Sequence, residues 1–149
     1  MDWEAIGAIS TGATGLIILI SLGVLAWQIR ELRRATHAQV YNTVLATVQN
    51  EDVRKARRIL FGLAEKELSK WIEQEIFEAE KACHTYDSIG IMIHNHLLPL
   101  NIIVSWRYSV VQSWNIASPL VEKYREDRSA PDFWDDFEWF AKELEKKKP

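Results

Sequence analysis

From Ala5 to Trp27 the chain reads AIGAISTGATGLIILISLGVLAW and carries no charge; the nearest charged residues are Glu4 and Arg30. At ~1.5 Å rise per residue, about 20 apolar residues cross a ~30 Å hydrocarbon layer, so this run is long enough to span a bilayer with some tilt. A helix satisfies its own backbone hydrogen bonds, which lipid cannot do. Trp3 and Trp27 mark the two ends, where indole rings favour the headgroup layer. A core helix of a soluble protein rarely stays uncharged for this long. A cleaved leader would find a small-residue site at Val24-Leu25-Ala26, but there is no basic segment ahead of the run and the basic cluster lies behind it.

Flanking charge orients the span. Only Asp2 and Glu4 precede it, whereas Arg30, Arg33 and Arg34 follow. Cationic flanks stay on the cytoplasmic side, which places the amino terminus outside and the long remainder in the cytoplasm. The expected organisation is an anchor over residues 1–29, with the span at about 5–27, and a cytoplasmic helical domain over residues 30–149. Small residues crowd the outer half of the span. Ala8 and Gly12 are spaced by four, as are Gly7, Thr11 and Gly15, a face suited to close helix approach and self-association.

All eighteen Lys and Arg lie at or beyond Arg30, with nineteen of the twenty-one acids, so the body is close to neutral and is not expected to bind nucleic acid. Cys83 is the one cysteine, which fits a reducing compartment and leaves no internal disulfide.

Beyond the anchor every pattern is helical. Neither Pro nor Gly interrupts residues 28–48, and Val40, Val44 and Val48 form a stripe. Asn50 suits the cap of a second helix over Glu51 to Leu63, with Val53, Ala56, Leu60 and Leu63 inward and Gly62 near its end. Ser69 suits the cap of a third, over Lys70 to His96. There Ile72, Ile76, Ala79, Cys83, Tyr86, Gly90, Ile93 and Leu97 follow steps of four and three, and Gly90 implies a close neighbour. Pro99 opens a fourth helix carrying Ile103, Trp106, Val110, Ser113, Ala117, Val121 and Tyr124, which Pro119 should kink or break near Ala117. A last helix over Asp132 to Lys146 aligns Phe133, Phe137, Phe140 and Leu144, with acids at its start and Lys146 to Lys148 at its end. The fold class is all-α: one amino-terminal transmembrane helix extended into a cytoplasmic helical bundle.

The tail SAPDFWDDFEWFAKELEK, with CHTYDSIGIMIHNHLLP and VRKARRILFGL, resembles small bacterial proteins grouped as domain of unknown function 4760. The resemblance covers most of residues 1–147 and is most specific in the aromatic segment Phe133, Trp134, Phe137, Glu138, Trp139 and Ala141. It implies one span followed by a cytoplasmic helical body, and it brings no activity and no catalytic residues. Where members often have Gly before Leu-Leu-Pro, this chain has His96.

Chemistry-bearing residues are few. Cys83 and His84 are adjacent, and His94 and His96 diverge on a helix, so neither pair has ligand spacing and no metal or other cofactor is expected. Cys83 falls in the apolar seam and reads as a core residue. Asp87 flanks that seam and needs a partner if buried. Arg54, Arg57 or Arg58 would supply a structural ion pair. Catalysis by Asp87 lacks a second acid, base or nucleophile at useful spacing. Arg54, Lys55, Arg57 and Arg58 could bind an anion, or form a solvated face paired with nearby Glu. Trp71, Trp106, Trp114, Trp134 and Trp139 should mostly fill the core.

These features favour a non-enzymatic function, a membrane-anchored interaction or scaffold protein that meets the bilayer, a protein partner or further copies of itself. The alternative is a ligand-regulated oligomeric membrane effector or small channel, and a membrane-attached enzyme ranks last. The expected location is the inner membrane, single pass.

Overall fold

The computed structural model describes the backbone of residues 3–147 and the side chains of residues 14–147. Helix α1 (Trp3–Gln49) is followed by α2 (Glu51–Gly62), α3 (Glu73–His94), the single turn α4 (Leu100–Ile103), α5 (Arg107–Arg128) and α6 (Asp135–Lys146), with no strand among the described residues. The chain divides into two compact units between Gln39 and Val40.

In the first unit, every described side chain from residue 14 to residue 36 is exposed. Leu16, Ile17, Leu19, Ile20, Leu22 and Leu25 are among them. Among the described residues, this one helix is long and apolar enough to cross a membrane. Trp27, 63% exposed, stands at the end of the uncharged run, and Arg30, Arg33 and Arg34 are exposed beyond it. The side chains of Trp3, Gly7, Ala8, Thr11 and Gly12 lie outside the described residues.

The second unit has α3 at its centre, packed against α2, α5 and α6, with α6 also against α5. Val44 and Val48 of α1 join this core. Asn50 caps α2, its side-chain oxygen accepting the Asp52 N–H at 2.9 Å, and Ala56, Leu60 and Leu63 turn inward while Val53 is half-buried.

Ser69 does not cap α3. It sits in a tight 3-10 turn, Leu68–Lys70, and α3 starts later. There the Glu75 carboxylate accepts the Ile72 N–H at 2.9 Å and the Lys66 ammonium at 2.6 Å, contacts that hold its pKa below the usual carboxylate value. The seam of α3 is buried at Ala79, Cys83, Tyr86, Gly90 and Ile93. Its ends are not: Ile72 and Leu97 lie outside the helix and are exposed.

The fourth helix is divided before α5 and, of the kink or break expected at Pro119, shows no break. A 3-10 turn, Val104–Trp106, separates α4 from α5, although the apolar spacing runs through it. Pro119 does not end α5, which continues to Arg128. Pro119 has no N–H for the Asn115 carbonyl four residues back, and the Ser118 hydroxyl donates to that carbonyl at 3.4 Å instead. The helix ends at Ser129, in the left-handed conformation, with its N–H on the last carbonyls.

Gly90 faces the first turn of α6 with no room to spare. A Cβ there would lie 2.8 Å from the Asp136 carbonyl carbon and closer still to its oxygen. In an open helix position, Gly to Ala gains about 1 kcal/mol. Here the added methyl must displace backbone, and Gly90→Ala is expected to lower stability by about 1–3 kcal/mol. Urea unfolding of the full chain in detergent checks the sign.

Candidate functional site

Two places concentrate polar and aromatic side chains: the seat of α6 on α3, and a groove walled by α2 and the start of α5.

At the first, Trp134 occupies the cap position of α6 with φ 56°, and its own side chain makes no cap hydrogen bond. A bulky residue in the left-handed region is strained. The surroundings hold it there. Its indole is 4% exposed, donates to His84 Nδ1 at 3.2 Å, and packs against Phe133 and Tyr124. The hydrogen bond also fixes His84 Nδ1 as an acceptor.

The missing cap is supplied from another helix. Asp87 Oδ1 accepts the Phe137 N–H at 3.0 Å, so a carboxylate on α3 satisfies an orphan donor in the first turn of α6. This corrects the expected ion pair: among the described residues, Asp87 makes no salt bridge with Arg54, Arg57 or Arg58. Neighbours extend the seat. Tyr86 stacks on Phe137 with centroids 5.3 Å apart, His94 Nδ1 lies 2.8 Å from Asp136 Oδ1, and the His94 ring stacks on Trp139 at 4.8 Å.

Carboxylate oxygens of Asp87, Asp135 and Asp136 lie within 4.8 Å of one another. Crowding of like charge is offset by the positive end of α6. Burial pushes the Asp87 carboxyl above its ordinary value, the Phe137 N–H pulls it back, and Asp136 and Asp135 push it up again. Two of the oxygens are already engaged, one by a backbone donor and one by an imidazole, so the arrangement works as a helix seat.

The rest of the tail is similarly committed. Glu138 pairs with Arg125 at 2.7 Å and with Lys142 at 2.5 Å, and both contacts hold its carboxyl below the usual range. Arg125 Nε donates to the Phe133 carbonyl at 3.0 Å. Phe137, Phe140, Ala141 and Leu144 are buried. Cys83 is fully buried and its thiol is pushed up by that burial, which suits packing. Tyr124 donates to Glu80 at 2.5 Å, and burial first, then that bond, pushes its phenol up to about 12.

The groove is different in kind. It has a volume of about 540 Å³ and is walled by Leu45, Val48 and Gln49 at the end of α1, by Arg54 and Arg57 of α2, by Ser105 and Trp106 of the 3-10 turn, and by Tyr108 and Ser109 of α5. No carboxylate lines it. Tyr86 at its base shares a 3.2 Å hydrogen bond with Ser109. Of the four basic residues expected to act together, Lys55 and Arg58 fall outside the lining. Among the described residues, no salt bridge involves any of the four, so the expected pairing with nearby Glu is not formed. Sequence spacing pointed to the cations. It carried no sign of Trp106 and Tyr108, which lie some fifty residues further on and reach the groove only through the break before α5.

The sequence profile of the family described as domain of unknown function (DUF4760) matches residues 15–144, and the chain belongs to that family. No curated protein and no solved structure matches it.

Removing the Asp87 cap should expose its contribution. Asp87→Ala is expected to cost about 1–2 kcal/mol, and Asp87→Asn, whose carbonyl can still accept the Phe137 N–H, markedly less. The folded-state pKa of Asp87 is raised, so ionising it opposes folding: its contribution to stability is greatest in acid and falls as pH rises through the folded pKa. Asp87→Asn should therefore flatten the part of the pH–stability profile above pH 3.8 that declines toward neutrality. Glu138 has the opposite sign. Its lowered pKa gives stability that is present above pH 4.5 and lost as pH falls through the folded value, so Glu138→Gln should remove part of the acid limb. Thermal unfolding of both variants across acid pH reads the two slopes separately.

Proposed function

We propose that this member of the family is a single-pass protein of the cytoplasmic membrane, with its amino terminus outside, whose helical body serves as a tethered interaction or scaffold module. The observation that carries the reading is the exposed, uncharged surface of α1. Every described side chain from residue 14 to residue 29 is both exposed and uncharged, while residues 40–147 build a buried core of their own without them. So long an apolar surface calls for lipid or another protein. Arg30, Arg33 and Arg34 support the orientation, since no basic residue precedes the run.

The reading is non-enzymatic and needs no nucleic acid and no cofactor. The family signature in the tail is taken up by packing, capping and ion pairs, which is what an interaction module needs of its body. Self-association through the face of Gly7, Ala8, Thr11, Gly12 and Gly15 completes the proposal; at Gly15 a Cβ would meet nothing within 4 Å, leaving that side of the helix open. The basic groove favours a second reading, a ligand-regulated membrane effector, in which the body responds to an anion.

Membrane fractionation and protease protection test the placement. The chain should stay with membranes through alkaline carbonate extraction, and its tryptophan-rich body should survive protease added outside intact spheroplasts but not protease added to inverted vesicles. A body that is digested from outside, or a chain that remains dispersed without detergent, contradicts the reading. Cross-linking in native membranes tests the association: Gly12→Leu should reduce the cross-linked dimer several-fold.

A further inference from the structure

The groove formed by the end of α1, α2 and the start of α5 combines three properties. Its charge has one sign, from Arg54 and Arg57 with no acid on the wall. These two residues stand three apart on α2, so their side chains leave neighbouring positions on one helix face. Guanidinium forks match the oxygen geometry of a phosphate, and neither fork is used in a salt bridge among the described residues. The wall also carries hydroxyl groups, Ser105 and Ser109, able to donate to an anionic oxygen. Finally it offers flat apolar faces: Trp106 is half-buried, while Tyr108 is 75% exposed, a large aromatic left open to water at the groove's edge. The volume of about 540 Å³ falls in the range of small-ligand sites.

We propose that this groove binds a phosphomonoester carried on a planar ring, a mononucleotide-sized ligand, with Arg54 and Arg57 gripping the phosphate and Trp106 and Tyr108 covering the ring. The charge and the aromatic surface select together. An inorganic anion would satisfy only the arginines, and an uncharged ring only the aromatics. A nucleic-acid strand is disfavoured by the near-neutral charge of the body, which provides no extended basic track beyond the groove. The binding is independent of whether copies of the chain associate in the membrane.

The test is calorimetric titration of the full-length chain in phosphatidylcholine nanodiscs with adenosine monophosphate, adenosine and inorganic phosphate. Adenosine monophosphate should saturate, with the other two at least about tenfold weaker. Arg54→Gln and Arg57→Gln should each weaken it by about tenfold, and Arg57→Lys, which keeps the charge but loses the fork, should also weaken it. Tyr108→Ala should weaken adenosine monophosphate and leave inorganic phosphate unchanged. Lys55→Gln and Arg58→Gln, on the same helix but off the groove, should change nothing, and circular dichroism of each variant confirms that the fold is retained. Absence of saturation by adenosine monophosphate at millimolar concentration overturns the proposal. So does equal loss from all four basic positions, which would mark diffuse attraction, and so does inorganic phosphate binding as tightly as the nucleotide. Incorporating phosphatidic acid into the nanodiscs should not displace the nucleotide; displacement would assign the arginines to a lipid headgroup and sink the ring component.

Discussion

One turn of α3 seats the last helix of the second unit. Tyr86, Asp87 and Gly90 receive the start of α6, each by different means: a stacked ring under Phe137, a carboxylate on the Phe137 N–H, and the absence of a side chain where the Asp136 carbonyl comes in. The three contacts depend on one another. Without the close approach at Gly90 the carboxylate could not reach the amide, and without the cap a helix terminus would be seated with an unsatisfied donor. The strain at Trp134 belongs to the same arrangement, since the sharp turn it makes aims α6 at this seat.

That dependence explains the aromatic signature in the tail. Phe133, Trp134, Phe137 and Trp139 surround the seat, and Glu138 fastens the same turn to Arg125. In space Phe133, Trp134, Phe137, Glu138 and Trp139 each have a structural partner. Exposed surface is left elsewhere among the described residues: along the apolar run of α1, and at Arg54 and Arg57, which form no salt bridge there.

How much of this could be read from the sequence follows from how local each interaction is. The uncharged run, the seam of α3 and the cap at Asn50 are set by neighbours within a turn or two, and all are legible as spacing. Gly90 announced a close approach because glycine inside a seam has few other uses. Asp87 misled, because its partner is a backbone N–H fifty residues away, and a backbone donor leaves no mark in the sequence; three arginines seemed the natural choice. Ser69 is taken up in the 3-10 turn Leu68–Lys70, and Ile72 stands at the cap of α3 with its N–H on the Glu75 carboxylate. Pro119 sits inside α5 without ending it, and the Ser118 hydroxyl beside it donates to the Asn115 carbonyl that the proline leaves without its usual donor. The groove needed the turn at Val104–Trp106, which apolar periodicity runs straight through.

Through Asp87, α3 caps and seats the tail helix, which makes the aromatic segment a structural keystone. Amide hydrogen exchange at Phe137, followed in the full chain in detergent micelles, tests it most directly. This amide should exchange as slowly as those in the middle of α3, and Asp87→Ala should release it selectively by orders of magnitude. Rapid exchange in the unaltered chain, at the rate of an uncapped helix end, would contradict it.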